Sequence, residues 1–255
     1  MPPQVAVVTG GSSGIGAAIA RALASRGWHC VLLARGEERL RAIATEIGGE
    51  YELCDVGDRA AVERAAAAVL KRHPAIRLLV NNAGVPGRGG FLELPADQIE
   101  EVARINYLGG VWCLRAFLPA LEAGAPADVV NVVSVAGTVS VGSSGPYAAA
   151  KHAQLAFSRG VAQELAARGI RTHTINPGFV ETPGFPQRKR FGNPLLRRLV
   201  VEPELVAARV VSALGRDRRE LFVPRWYRAA ALVAALVPGT LARLIGMRGD
   251  RTGPG

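Results

Sequence analysis

"VAVVTGGSSGIG", residues 5–16, is the stretch from which the fold can be read. Five apolar or β-branched residues run directly into a polar, glycine-rich turn, and from Ile15 onward the pattern becomes helical. An apolar run of this length bounded by glycine reads as a strand covered on both faces. Glycine tolerates positive φ and lets backbone approach a bound group, and the helix that follows would aim its N-terminus at an anion. The spacing is G-x-x-x-G-x-G rather than G-x-G-x-x-G. A phosphate cradle is the reading favoured by its place after the first strand, and a tight connection with no ligand is the bland alternative.

Outward from this turn the same alternation repeats. Further strands are expected at 30–34, 51–54, 78–80, 129–133, 171–175 and 221–223, with helices near 15–26, 37–47, 58–72, 97–122, 147–168 and 203–214. Strands this apolar, separated by helical crossovers, imply a doubly wound α/β fold. The expectation is a Rossmann-like parallel sheet of about seven strands with helices on both faces. No repeat or linker divides the chain, so residues 1–255 are expected to form one domain.

Such sheets bind ligands at the carboxyl ends of their strands, and the polar residues gather there. Asp55 follows the third strand, Asn81-Asn82-Ala83-Gly84 the fourth, Ser134 the fifth and Asn176-Pro177-Gly178 the sixth. The second strand ends Ala34-Arg35, where a site for a free ribose would place a carboxylate. Arg35 with Ser12 or Ser13 could clamp an additional phosphate, which favours NADP over NAD. The alternative is a surface arginine paired with Glu37 or Glu38.

In "YAAAK", residues 147–151, Tyr147 and Lys151 stand at i and i+4 and share a helix face. A phenol titrates near pH 10. A neighbouring cation would favour the phenolate and bring it toward the working range of an acid or base. By itself the pair could be an ordinary helix surface.

Together, "TGGSSGIG", "NNAG", Asn106, Ser134, "YAAAK" and Pro177-Gly178 resemble the short-chain dehydrogenase/reductase family, across about residues 4–223. The resemblance implies a hydride transfer between a nicotinamide cofactor and a carbonyl or secondary alcohol. It implies that Tyr147 is the acid or base, that Ser134 holds the substrate oxygen, and that Lys151 lowers the tyrosine pKa and holds the nicotinamide ribose. Asn106 would anchor a water connecting Lys151 to solvent. The cofactor would meet Gly10, Ser12, Ser13, Gly14, Ile15 and Gly16 at its pyrophosphate, and Asp55 and Val56 at adenine. Asn82, Ala83 and Gly84 would meet the adenosine ribose, and Pro177, Gly178, Val180 and Thr182 the carboxamide end. The second strand lacks a terminal carboxylate, and the chain after 223 is longer and more apolar than the minimal family core. A 3-oxoacyl thioester reductase and a non-enzymatic dinucleotide sensor on the same fold are the alternative functions.

Bulk composition agrees with a globular chain: 49% of residues are hydrophobic and 20% charged. The net charge of +10 raises nucleic acid as a partner, but only 5% of residues are aromatic and the basic residues are scattered among acidic ones, so no specific nucleic acid is expected. Cys30, Cys54 and Cys113 lack metal-ligand spacing, no metal site is expected, and single buried thiols fit a cytoplasmic setting. No secretory signal is read at the N-terminus.

Residues 183–202 read as a substrate lid, with Phe185, Phe191, Leu195 and Leu196 for an apolar substrate and several arginines that could meet an anionic carrier. Residues 225–248 read as two short apolar helices broken at Pro238-Gly239. They would cover the pocket, pack on another subunit, or touch a membrane surface peripherally. The long helices at 97–122 and 147–168 suggest a homodimer or homotetramer.

Overall fold

Seven strands form one parallel sheet in the computed structural model, which describes residues 4–87, 89–139, 145–191 and 194–236. They are β1 (Val5–Thr9), β2 (His29–Ala34), β3 (Glu50–Leu53), β4 (Leu78–Asn81), β5 (Ala127–Val132), β6 (Ile170–Pro177) and β7 (Glu220–Val223). Their order is β3-β2-β1-β4-β5-β6-β7. The helices are α1 (Gly14–Ala24), α2 (Glu37–Glu46), α3 (Arg59–Arg72), α4 (Ala96–Ala103), α5 (Gly109–Ala123), α6 (Gly145–Ala166), α7 (Pro194–Arg197), α8 (Pro203–Ala213) and α9 (Tyr227–Leu236).

The sheet is Rossmann-like and doubly wound, as the apolar strand runs require. Side chains alternate across each strand, so Val7 and Val31 face α3 and α5 while Val8 and Leu32 face α1, α2 and α8. One core gathers Val62, Val69, Phe117 and Leu121 with the first pair; the other gathers Ile19, Leu23, Leu40, Val206 and Val210 with the second. Phe117 is fully buried, and truncating such a side chain to alanine costs about 3–5 kcal/mol.

Register decides where the site lies. Thr9 stands beside Leu33, Val8 beside Val80, Asn81 beside Asn131 and Val132 beside Ile175. The carboxyl ends of the five central strands are therefore level. The strand order reverses between β1 and β4, which opens a crevice there. A polar chain crosses the core beneath it: Asn81 Nδ2 donates to Asn131 Oδ1 at 2.9 Å, and Asn131 Nδ2 to Ser158 Oγ at 2.9 Å.

Two expectations need refinement. The helix expected at 97–122 is α4 and α5 joined by a π turn, Arg104–Leu108, a feature that inserts an extra residue into the helical ladder and often marks functional sites. In the tail, α9 supplies the first arm of the expected hairpin over Tyr227–Leu236; the second arm lies outside the described residues. No helix among the described residues is long and apolar enough to cross a membrane. All three cysteines are buried and unpaired. Burial pushes the Cys30 thiol up to about 12 and the Cys54 thiol to about 11.

Candidate active site

A cavity of about 920 Å³ opens at the carboxyl ends of the strands, toward the upper end of the size range for small-molecule sites, about 300–1,000 Å³. Every site residue expected from the sequence lines it except Gly16. Gly16 lies one layer behind: a Cβ there would stand 2.2 Å from the Gly10 carbonyl oxygen and 2.6 Å from Asn82 Nδ2. Only glycine lets α1 approach the β1 turn this closely.

The turn is built to leave backbone donors unspent. Gly10 (φ +66°) and Gly14 (φ +55°) occupy the left-handed region, where other residues are strained. Ser13 precedes α1 without capping it through its side chain, so the first N–H groups of the helix face the cavity without that partner. Thr182 covers the same helix end, with its side chain 3.0 Å from where a Cβ on Gly14 would stand. Uncapped amides, a positive helix end and a hydroxyl make a fitting seat for a pyrophosphate.

Thr9 and Asn82 tie the two central loops together. Asn82 Nδ2 donates to Thr9 O at 2.9 Å, and the amides of Asn82 and Ala83 donate to Thr9 Oγ1 at 2.9 and 3.0 Å. The Asn82 side chain thus shapes the crevice, leaving the backbone of residues 82–84 to line it. At the second strand end, Arg35 Nη1 lies 3.7 Å from Asp55 Oδ2 and 3.9 Å from Glu101 Oε1. These are long contacts on a side chain 56% exposed, with Asp55 and Glu101 in place of the Glu37 or Glu38 considered from sequence. The other oxygen of Asp55, Oδ1, accepts from Gly57 N at 2.8 Å. The cap of α3 is Asp58.

At the far end, Ser134 and Tyr147 both line the cavity, and Ser134 Oγ donates to Pro177 O at 3.5 Å. Ser134 Oγ also accepts from Ala136 N at 3.1 Å, which fixes the hydroxyl at the start of a 3-10 turn, Val135–Gly137. Lys151, only 3% exposed, donates to Gln154 Oε1 at 2.8 Å and to Val132 O at 3.2 Å. Burial pushes Tyr147 up to about 12 and brings Lys151 down to about 7. Desolvation disfavours the charged form of each.

Asn106 sits in the π turn. Its Nδ2 donates to Val85 O and Val102 O, both at 3.0 Å, and its Oδ1 accepts from Val85 N at 3.3 Å. It clamps the loop after β4 to the helix. Gly84 passes between Asn106 and Lys151, and a Cβ on it would lie 2.7 Å from Asn106 Oδ1 and 3.8 Å from Lys151 Nζ.

The remaining walls are apolar. Phe185 packs its ring 5.8 Å from that of Tyr147, and Phe179, Phe191, Val139, Tyr227, Ala230 and Ala231 complete the lining. Of the other lid residues expected to be apolar lining, the side chains of Leu195 and Leu196 lie outside the described residues. The sequence does not single out Tyr227, although the tail that carries it is expected to cover the pocket as one of its roles, and Tyr227, Ala230 and Ala231 do line it. Its ring crowds Gly178, where a Cβ would meet Tyr227 Cε2 at 2.0 Å.

Comparison with known proteins agrees with this geometry. The short chain dehydrogenase family matches residues 4–191. "Dehydrogenase/reductase SDR family member 4" of Mus musculus is 34% identical over 219 residues, which is 84% of this chain and 76% of that protein. A variant of actinorhodin polyketide ketoreductase solved with NADPH superposes with a TM-score of 0.80 at 32% identity, covering 88% of this chain and 97% of the other. A short chain dehydrogenase/reductase from Burkholderia phymatum in complex with NAD gives 0.82 at 28% identity, covering 94% and 95%.

Proposed function

The chain belongs to the short-chain dehydrogenase family of nicotinamide-dependent oxidoreductases acting on CH–OH and C=O groups, and within it we propose an NADP-dependent reductase of a ketone bearing apolar substituents. The observation that carries the cofactor reading is Arg35. It follows Ala34, the last residue of β2, lines the cavity, and is engaged only by long contacts. A 2′-phosphate would offer it a charge-assisted bidentate partner, with Ser12 or Ser13 adding a hydroxyl. The pyrophosphate would sit at the start of α1, adenine by Asp55 and Val56, the adenosine ribose by residues 82–84, and the carboxamide near Pro177, Gly178, Val180 and Thr182.

When bound, the nicotinamide supplies the hydride. The chain's own residues handle the oxygen. Ser134 and Tyr147, which line the same end of the cavity, would both point hydrogen-bond donors at the substrate carbonyl. Tyr147, protonated throughout the neutral range, gives its proton to that oxygen as negative charge develops. Ser134 stabilises the same charge through its O–H. Lys151 would hold the nicotinamide ribose and restore the tyrosine proton, with Asn106 shaping the loop through which solvent enters. Phe179, Phe185, Phe191 and Tyr227 would exclude water and select apolar substituents.

A second reading, reduction of a 3-oxoacyl thioester, is favoured by the structural similarity to a polyketide ketoreductase and by the arginines of the lid. Arg188 is partly committed, however, through its ion pair with Glu202.

Calorimetry with NADPH and NADH tests the cofactor reading. At least about tenfold tighter binding of NADPH is expected, about 1.4 kcal/mol, and Ala34→Asp with Arg35→Ser should reverse the order. Equal affinities would refute it. Turnover of a panel of free ketones against 3-oxoacyl thioesters, measured as kcat/KM, decides between the substrates.

A further inference from the structure

We propose that His29, Glu50 and His73 form a binding site for one divalent transition-metal ion of the Zn²⁺ or Co²⁺ type, at the end of the sheet away from the catalytic cavity. His29 opens β2, Glu50 opens β3, and His73 follows the last turn of α3. Val31 stands beside Glu50 in the β2–β3 register. His29, two residues before Val31, therefore shares a sheet face with Glu50. This is the face covered by α3, because Val31, Leu33 and Val69 belong to one core. His73 arrives at the same place from the helix end.

The ligand atoms converge. His29 Nε2 and His73 Nε2 lie 2.9 and 3.0 Å from one and the same oxygen, Glu50 Oε1. The two rings are 5.1 Å apart and tilted by 43°. Among the described residues, this is the one group of three His, Cys, Asp or Glu side chains whose ligand atoms all lie within 4.8 Å of one another. Zinc bonds of about 2.0–2.1 Å at tetrahedral angles would place ligand atoms about 3.3 Å apart. Each of the two N–O distances would open by a few tenths of an ångström to reach that separation.

The donor set selects the class of ion. Two imidazole nitrogens and one carboxylate oxygen suit Zn²⁺, Co²⁺, Ni²⁺ or Cu²⁺, whereas Mg²⁺ and Ca²⁺ require oxygen ligands. The outer contacts also resemble those of a built site. Arg72 Nε donates to Glu50 Oε2 at 2.8 Å, and Arg72 Nη2 to Glu52 Oε1 at 2.7 Å. Arg72 thereby turns Oε1, and not Oε2, toward both rings. The three side chains are 17–33% exposed, which leaves room for water at the remaining coordination positions. None of them lines the catalytic cavity, so the site would tie β2, β3 and α3 together by mass action on the folded state without touching the reaction.

A hydrogen-bonded trio that binds no metal is the competing account. Untagged full-length protein, stripped with EDTA, is dialysed against micromolar Zn²⁺, and bound metal and Tm are measured. One Zn²⁺ per chain and a raised Tm are expected, with Mg²⁺ giving neither. His29→Ala and His73→Ala should each weaken binding by at least about tenfold, while dinucleotide affinity is unchanged. No Zn²⁺ retained by the wild type, or equal retention by both variants, overturns the proposal. Should the variants fail to fold, Co²⁺ added to the wild type decides. Visible bands of nitrogen and oxygen ligation without thiolate charge transfer support the site; a thiolate signature from the cysteines, or an unchanged spectrum, overturns it.

Discussion

Lys151 Nζ donates to Gln154 Oε1 at 2.8 Å, one turn further along its own helix, while the ring centroid of Tyr147, one turn earlier, is 5.7 Å away. The amine is bonded inside the protein, and burial holds its pKa down at about 7 from an ordinary 10.5. Between these values the unfolded chain carries a proton that the folded one has released, so this group makes stability rise with pH across that window. Below about 7 both states are protonated and the penalty is constant. Lys151→Met removes the titration. Urea unfolding from pH 7 to 10 should show the wild type gaining stability relative to the variant, and parallel profiles would refute the depressed pKa.

Tyr147→Phe should lower kcat by at least about a hundredfold, the lower end of general acid catalysis, while dinucleotide affinity changes little. The ring keeps its packing against Phe185 and only the hydroxyl is lost. Turnover near that of the wild type in a folded Tyr147→Phe protein would dismiss its assignment as the acid.

Gly178→Ala places a methyl 2.0 Å from the Tyr227 ring. Overpacking of this kind costs about 1–3 kcal/mol. Because the clash is with one side chain, Tyr227→Ala should relieve it, and the double variant should be less destabilised than the sum of the single ones. Additive effects in denaturant unfolding would show that Gly178 is constrained by something else.

Deletion from Arg225 onward removes the Tyr227, Ala230 and Ala231 wall, so KM for an apolar ketone should rise while dinucleotide affinity holds. On α9, Leu232, Val233 and Leu236 are exposed, a surface suited to another subunit or to a lipid interface. The full chain is expected to be a homodimer or homotetramer by light scattering. If truncation leaves KM, assembly and vesicle binding all unchanged, the tail has none of these roles.

The sequence by itself determined the alternation of strands and helices, the parallel sheet and the chemical types at its carboxyl edge. Strands buried on both faces must be continuously apolar, and helical crossovers send the polar strand ends to one side, so "VAVVT" followed by "GGSSGIG" already implied a strand and a ligand-facing turn. The positions of Asp55 and Ser134 at that edge followed from the same period, and Tyr147 was joined to them through the family resemblance. The partners of each side chain were decided only in three dimensions. Asn82 bonds Thr9, Lys151 is turned to Gln154 and Val132, Tyr227 presses on Gly178, and the π turn displaces Asn106 onto the loop at Val85. His29, Glu50 and His73 meet although more than twenty residues separate each from the next. Such contacts depend on strand register, on where a helix ends and on which neighbours exclude water, and these distances exist only once the sheet has been assembled.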